Sequence, residues 1–181
     1  LATTVFFVGS LALIPLLPQF IGDLRDGNTA IVAELIRRGA ALQGSIAWAM
    51  YLSTNCADNA GLDPATDEAA LADPGRLRLL LTEPLCSQWP VEPTSDTFNE
   101  PVVSDIPALV VAGRYDPITP PDSSQTVAGR LTNSTFALWP DRGHGVAGDA
   151  CANDIMSAFL DDPSAPVDLA CLTSVPDPAF G

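Results

Sequence analysis

Apolar residues recur at helical spacing through the first half of the chain. Ile31, Leu35 and Ile36 repeat at this spacing after Asn28 and Thr29, which predicts a helix with a polar cap at its start. The other elements predicted in this half are a loop over residues 23–28, an alanine-rich helix over 40–52, short helices over 67–71 and 76–81, and a proline-rich loop over 84–101. We therefore expect a mostly helical region over residues 1–98.

From about residue 102 the pattern changes to strand, helix, strand, helix. The β-branched run 106–112 predicts a strand buried on both faces, as in a parallel sheet. A helix over 121–131, a strand over 134–139 and a helix over 151–160 follow. The last helix is predicted to carry an apolar face of four residues: Ile155, Met156, Phe159 and Leu160. This order implies right-handed crossovers, so residues 99–181 are predicted to form an α/β region.

The net charge of the chain limits the classes of partner that it is expected to bind. The 181 residues carry a formal net charge of −14, with eight arginines and no lysine. Nucleic acid and anionic membrane surfaces are therefore excluded as expected partners, because both need a basic face. An acidic surface instead attracts cationic groups such as a peptide amine.

The apolar run that opens the chain does not have the form of a membrane span. It extends from Val5 to Leu17, is shorter than the about 20 residues that a transmembrane helix needs, and contains Pro15, with Pro18 just beyond it. No positive charge precedes Arg25, so a signal peptide is not recognised either. We expect Leu1 to lie inside a longer protein; a protein anchored to a membrane by residues 5–21 is the alternative.

Four cysteines are widely spaced, at Cys56, Cys86, Cys151 and Cys171. Their spacing fits no zinc motif, so no metal is expected. An even count in an acidic chain indicates two disulfides and a secreted, extracellular protein. Of the three pairings, the sequential one is the simplest: Cys56 with Cys86 and Cys151 with Cys171. Four buried free thiols in a cytosolic protein are the alternative.

Two polar residues follow the predicted strands. Asp116 comes after the first strand and His144, the only histidine, after the second. Because the carboxyl ends of parallel strands meet at one edge of a sheet, we expect these side chains to lie close together. A carboxylate beside an imidazole is the orienting half of a Ser-His-Asp triad. The alternatives are a surface histidine and an aspartate that caps a turn.

The segments that carry these residues resemble a known family. The run Gly113–Pro120, GRYDPITP, is similar to the acid loop of the TAP-like carboxy-terminal domain of α/β-hydrolases, and Gly143-His144-Gly145 resembles its histidine loop. The cysteine-bearing stretches at Cys56-Ala57-Asp58 and Cys86–Pro90 resemble the family's cap and linker. This domain is the C-terminal part of the tripeptidyl and prolyl aminopeptidases of the α/β-hydrolase fold. These enzymes are mostly known from actinobacteria.

The resemblance implies a fold and an activity. The fold would be the C-terminal part of an α/β-hydrolase: a helical cap region, then the last two parallel strands and their helices. The activity would be that of a serine exopeptidase acting without cofactor on peptides with a free N-terminus. His144 would be the general base and Asp116 would orient it. Asp58 would bind the substrate ammonium, unless it caps a local turn.

The nucleophile of such an enzyme is absent from the sequence. The fold places its serine in Gly-x-Ser-x-Gly, before the acid and the base, and no such pentapeptide occurs here. We therefore expect the serine upstream, in a missing N-terminal half of the same hydrolase, and expect this chain alone to be inactive and prone to aggregate. A non-catalytic binding module and an esterase or small-molecule hydrolase of the same fold remain as alternatives.

Overall fold

The structure is a computed structural model that describes residues 14–31, 33–34, 37, 44, 46–58, 60, 84–95, 97–98 and 100–179. The predicted helices over 67–71 and 76–81, and most of the opening apolar run, lie outside these residues. The chain divides into two compact units, one made of Leu1–Ile36 and Val102–Gly181 and the other of Arg37–Pro101. The domain boundary between residues 98 and 99 stays a prediction.

The described elements follow in chain order. They are a 3-10 turn at Ile14–Leu16, helix α1 at Leu17–Arg25, helix α2 at Trp48–Asp58, strand β1 at Ala108–Gly113, helix α3 at Pro121–Ala128, strand β2 at Ser134–Trp139, helix α4 at Ala150–Asp161 and a 3-10 helix at Ala170–Ser174. None of the helices within the described ranges has both the length and the apolar character needed to cross a bilayer.

The sheet is parallel, as the strand-helix-strand order predicts. β1 and β2 pair in register from Ala108 opposite Ser134 to Gly113 opposite Trp139. The bounds predicted for the second strand are confirmed. The expectation that the first strand is buried on both faces is wrong, since only Ala112 and Gly113 are buried and the rest of β1 is half-buried. In the described part of the chain, β1 has a paired strand along one edge only.

The core of this unit lies between the sheet and α4. Trp139 of β2 and Ile155 of α4 are almost fully buried, together with Ala137, Val146 and Ala152. The prediction that Leu160 belongs to the apolar face of α4 is wrong, because this side chain is 76% exposed. At 100° per residue, Leu160 lies well around the helix from Ile155, whereas Ala152 and Phe159 share its face.

Helix α3 is shorter than predicted. It ends at Ala128, three residues before Leu131. The chain leaves the helix here because Leu131 forms a parallel bridge with Ser104, and the amide of Thr132 donates to the Ser104 carbonyl at 3.0 Å. Sheet pairing therefore replaces the last turn of the predicted helix.

Helix α1 is longer than predicted. It continues to Arg25, so the predicted loop over residues 23–28 begins only at Asp26. The amide of Asp26 still donates to the carbonyl of Gly22, and Gly27 ends the turn with a φ of 80°. The polar cap predicted for the next helix is confirmed, since the side-chain oxygen of Asn28 accepts from the amide of Ala30 at 3.2 Å.

The Arg37–Pro101 unit contains α2. The helix predicted over residues 40–52 is interrupted, because Gly44 is helical but Ile46 and Ala47 are not, and α2 runs from Trp48 to Asp58. The second half of α2 has no apolar stripe that could pack against a neighbour. It is held instead by a disulfide and a hydrogen bond. Cys56 is joined to Cys86 by a disulfide, and the indole of Trp89 donates to the Ser53 hydroxyl at 3.1 Å. The proline-rich segment after Cys86 is thereby attached to α2.

Candidate active site

The two loops that follow β1 and β2 are bonded to each other through their backbones. The amide of Arg114 donates to the carbonyl of Trp139, and the amide of Tyr115 donates to the carbonyl of Arg142, both at 2.9 Å. These bonds continue the pairing of the strands past the end of the sheet. The loops that carry Asp116 and His144 are therefore fixed relative to one another.

Gly113 permits this close approach. It is the last residue of β1, and a β-carbon placed on it would lie 2.5 Å from the carbonyl oxygen of Arg142 and would collide with that of Gly143. Real β-carbons do not come this close to backbone oxygen. The absence of a side chain at residue 113 thus brings the loop carrying His144 against the loop carrying Asp116.

Asp116 and His144 are in direct contact. The Nδ1 atom of His144 lies 3.0 Å from Oδ2 and 3.2 Å from Oδ1 of Asp116. The carboxylate is 4% exposed, whereas the imidazole is 44% exposed. No partner for Nε2, the other ring nitrogen, is found in the part of the chain that the structure describes. The pair thus combines a buried acid with a base whose ring is partly exposed to solvent.

Asp116 is held by its own loop. Oδ1 accepts from the amides of Ile118 at 2.8 Å and Thr119 at 2.9 Å, and Oδ2 accepts from the Thr119 hydroxyl at 2.7 Å. Such bonds from an aspartate to the amides two and three residues on are typical of a turn. Asp116 therefore has the turn role that sequence reasoning held as an alternative, and it has this role while facing His144.

These bonds set the charge state of Asp116. Burial by itself raises the pKa of the carboxyl group, but the hydroxyl and amide of Thr119, the amide of Ile118 and the ring of His144 together outweigh it. The pKa of Asp116 lies below its ordinary value as a result. The group is a carboxylate at neutral pH, as an acid that stabilises an imidazolium must be.

The loop carrying His144 is anchored on α4. Arg142 donates through Nη2 to Oδ2 of Asp149 at 2.8 Å, and Oδ1 of Asp149 caps α4 by accepting from the amide of Ala152 at 2.7 Å. Asp141 adds a second ion pair with Arg142, at 3.3 Å. Gly145 has a φ of 91°, a conformation that favours glycine. The backbone on both sides of His144 is thus constrained.

Thr119 and Gly113 are the two site residues that sequence reasoning missed. Both lie inside the run GRYDPITP, so the motif contained them without showing their roles. A hydroxyl three residues after an aspartate is the available signal for Thr119, since side chains at that distance meet in a turn.

The other residues predicted for the site belong to other elements of the chain. Asp58 is the last residue of α2, in the Arg37–Pro101 unit. Cys56 is bonded to Cys86, and Cys151 to Cys171, so the structure has the sequential pairing. The second disulfide ties the 3-10 helix at Ala170–Ser174 to the start of α4. No serine hydroxyl in the described ranges is hydrogen-bonded to His144.

A carboxylate and an imidazole on the loops after two adjacent parallel strands are an arrangement that hydrolases of the α/β class share. The family model described as TAP-like protein, which is an α/β-hydrolase family, matches residues 76–171. This match spans more than half of the chain, and the chain therefore belongs to the TAP-like family of α/β-hydrolases, as the resemblance of its motifs predicts. No curated protein and no solved structure matches the chain.

Proposed function

We propose that Asp116 and His144 are the acid and the base of a Ser-His-Asp triad, and that the protein is the C-terminal portion of a secreted serine aminopeptidase. The observation that carries the proposal is the 3.0 Å contact between Nδ1 of His144 and the buried carboxylate of Asp116. The serine is supplied by a segment outside residues 1–181, since these contain no Gly-x-Ser-x-Gly.

The roles of the two residues follow from their contacts. The Asp116 carboxylate accepts a hydrogen bond from the N–H group at Nδ1, which keeps the proton on Nδ1 and leaves the lone pair on Nε2 of His144. Nε2 then takes the proton of the serine hydroxyl as the serine attacks the scissile carbonyl carbon. The imidazolium that forms is stabilised by the carboxylate beside it and gives its proton to the leaving amine. Water repeats the sequence on the acyl-enzyme, with His144 again as the base.

The proposed substrate is a peptide with a free N-terminus. A net charge of −14 favours the approach of a cationic end. Asp58 supports a binding role for the Arg37–Pro101 unit, because it stands at the C-terminal end of α2, where the partial negative charge of the helix also favours a cation. The two disulfides support secretion, since such bonds persist in oxidising compartments.

The test uses the complete coding sequence. We expect a fluorophosphonate probe to label a serine in a Gly-x-Ser-x-Gly segment preceding residue 1, and the Asp116→Asn variant to lose about four orders of magnitude in kcat. Peptide anilides with a free amine should be cleaved, and their N-acetylated counterparts should not. If no serine is labelled and no peptide or ester is cleaved, the non-catalytic binding module replaces the enzyme.

The role of Asp58 has its own measurement. In the complete enzyme, Asp58→Asn should raise KM for free-amine substrates while leaving kcat almost unchanged, because it removes binding that is equal in the ground and transition states. Asp105→Asn is the matched control, since Asp105 is exposed and lies in the other unit. An unchanged KM in Asp58→Asn would sink the ammonium-binding role without touching the triad.

A further inference from the structure

We infer that Thr119 is a positioning residue of the proposed triad, whose hydroxyl holds the Asp116 carboxylate in the one orientation that serves His144. The inference rests on the proposed function, since it assigns a role in the same site. It goes beyond the acid and base pair because Thr119 is neither of these two residues and acts by holding them in place.

The Asp116 carboxylate has a limited capacity to accept hydrogen bonds. A carboxylate offers about four lone pairs, two on each oxygen. The amides of Ile118 and Thr119 occupy the two on Oδ1, at 2.8 Å and 2.9 Å. The Thr119 hydroxyl occupies one on Oδ2, at 2.7 Å. The remaining lone pair belongs to Oδ2, and His144 Nδ1 meets this oxygen at 3.0 Å, closer than Oδ1 at 3.2 Å.

The hydroxyl is the part of this arrangement that depends on the residue type. Any residue at position 119 except proline supplies the backbone amide, and residue 118 likewise. These two amides fix Oδ1 but leave the carboxylate free to turn about it. Oδ2 is reached by two side chains, Thr119 and His144, so the Thr119 hydroxyl is the group within the Asp116 loop that turns this oxygen toward His144.

Thr119 also favours one form of the imidazole. Its oxygen lies 3.5 Å from Nδ1 of His144. The Thr119 hydroxyl donates its hydrogen bond to Asp116, so the Thr119 oxygen presents lone pairs toward Nδ1 of His144. Two groups that accept hydrogen bonds therefore stand before Nδ1, and both favour the proton on this nitrogen.

Substitutions at residue 119 separate the hydroxyl from the shape of the side chain. Thr119→Val keeps the branched shape and removes the donor, whereas Thr119→Ser keeps the donor and removes a methyl group. Thr126→Val is the matched control, because the Thr126 hydroxyl also donates within this unit, to the carbonyl of Asp122 at 2.8 Å, but takes no part in the site. Thr119 is exposed, so the valine has room.

The first readout is the nitrogen-15 and proton NMR spectrum of the His144 imidazole in the complete enzyme, where its resonances are assigned by their loss in His144→Ala. In the wild type we expect the proton on Nδ1, with a far-downfield resonance from its bond to Asp116. Thr119→Val should move this resonance upfield and increase the form protonated on Nε2, as should Asp116→Asn. Thr119→Ser and Thr126→Val should match the wild type.

The second readout is kinetic and uses the complete enzyme. A hydrogen bond to a charged group is strong enough that its loss should lower kcat about tenfold in Thr119→Val, with KM unchanged and with recovery in Thr119→Ser. A wild-type imidazole spectrum in Thr119→Val would overturn the inference, and so would equal effects of valine and serine. If the complete protein has no hydrolase activity, the proposed function fails, while the spectrum still decides whether Thr119 orients Asp116.

Discussion

The α-carbon of Gly113 lies so close to the backbone carbonyl of Arg142 that no side chain fits between them. A β-carbon at residue 113 would come within 2.5 Å of the Arg142 oxygen. This oxygen also accepts from the amide of Tyr115, so the contact lies on the bond that joins the two loops. The distance between Asp116 and His144 therefore depends on the close contact between Gly113 and Arg142.

The first prediction concerns this contact. Gly113→Ala should destabilise the protein by about 3 kcal/mol, since the obstacle is backbone, which cannot turn aside as a side chain would. It should also separate Asp116 from His144 and abolish the activity of the complete enzyme. Urea unfolding and the kcat for a peptide anilide are the measurements.

Gly129→Ala is the control for the effect of adding one methyl group. Its β-carbon would meet only ordinary contacts, at 3.5 Å and 3.6 Å, and its φ of −64° suits alanine. We expect a neutral or slightly stabilising effect, of about 0.5 kcal/mol. Equal stabilities of the two variants would contradict the role assigned to Gly113.

The second prediction separates activity from stability at His144. His144→Ala should lower kcat of the complete enzyme by about four to six orders of magnitude, because the proposed general base is lost. The free energy of unfolding should change by less than about 1 kcal/mol, since the ring is 44% exposed. Thermal unfolding and steady-state kinetics on one preparation test both statements. Retained activity would remove His144 from the mechanism.

The third prediction concerns acid stability. The pKa of Asp116 is lowered in the folded protein from an ordinary value of 3.8, so its contribution to stability is complete above pH 3.8. That contribution is lost as the pH falls below 3.8 and through the lower pKa of the folded state. The free energy of unfolding should therefore fall less steeply with acid in Asp116→Asn than in the wild type. Denaturant titrations over this pH range measure the slope.

The control for acid stability is Asp154→Asn. Asp154 is an exposed residue of α4, so its replacement should leave the acid slope of the wild type in place. An identical slope in Asp116→Asn would show that the buried carboxylate is not held as the structure indicates.

The fourth prediction concerns the disulfide between Cys151 and Cys171. Replacing both cysteines with alanine should cost about 3 kcal/mol, since the bond closes a loop of 20 residues. The segment after α4 would then depend on the packing of side chains such as Leu169 and on the exposed pair of Arg114 with Asp177, which contributes little. Urea unfolding of the double variant, with and without reductant, is the measurement.

The free energies of unfolding of the wild type and the double variant should differ only without reductant, while the disulfides are intact. The corresponding variant without Cys56 and Cys86 removes a bond of the Arg37–Pro101 unit and serves as comparison. A double variant at residues 151 and 171 as stable as the wild type would show that packing alone holds the C-terminal segment.

The parallel pairing and the meeting of Asp116 with His144 could be predicted because both depend on order along the chain. Residues that follow adjacent parallel strands reach one edge of a sheet, whatever the side chains between them. The bounds of β2 could be predicted for a related reason, since its apolar run ends at Pro140.

Features that depend on local geometry could not be predicted. The exposure of Leu160 depends on which face of α4 meets the sheet, and apolar character alone does not decide that. The end of α3 depends on a bridge between Ser104 and Leu131, which are far apart in sequence. The bond from Thr119 to Asp116 depends on how a turn folds back, so a motif can contain the residue without showing its role.

The division of the chain has a consequence for inheritance. The acid and the base lie 28 residues apart within one segment, and residues 37–101 form a unit of their own between two parts of the other. Insertions, deletions and substitutions in residues 37–101 leave the interval from Asp116 to His144 unaltered. Changes in that unit can therefore accumulate without altering the spacing of the two loops of the candidate site, which are encoded as a single block of sequence.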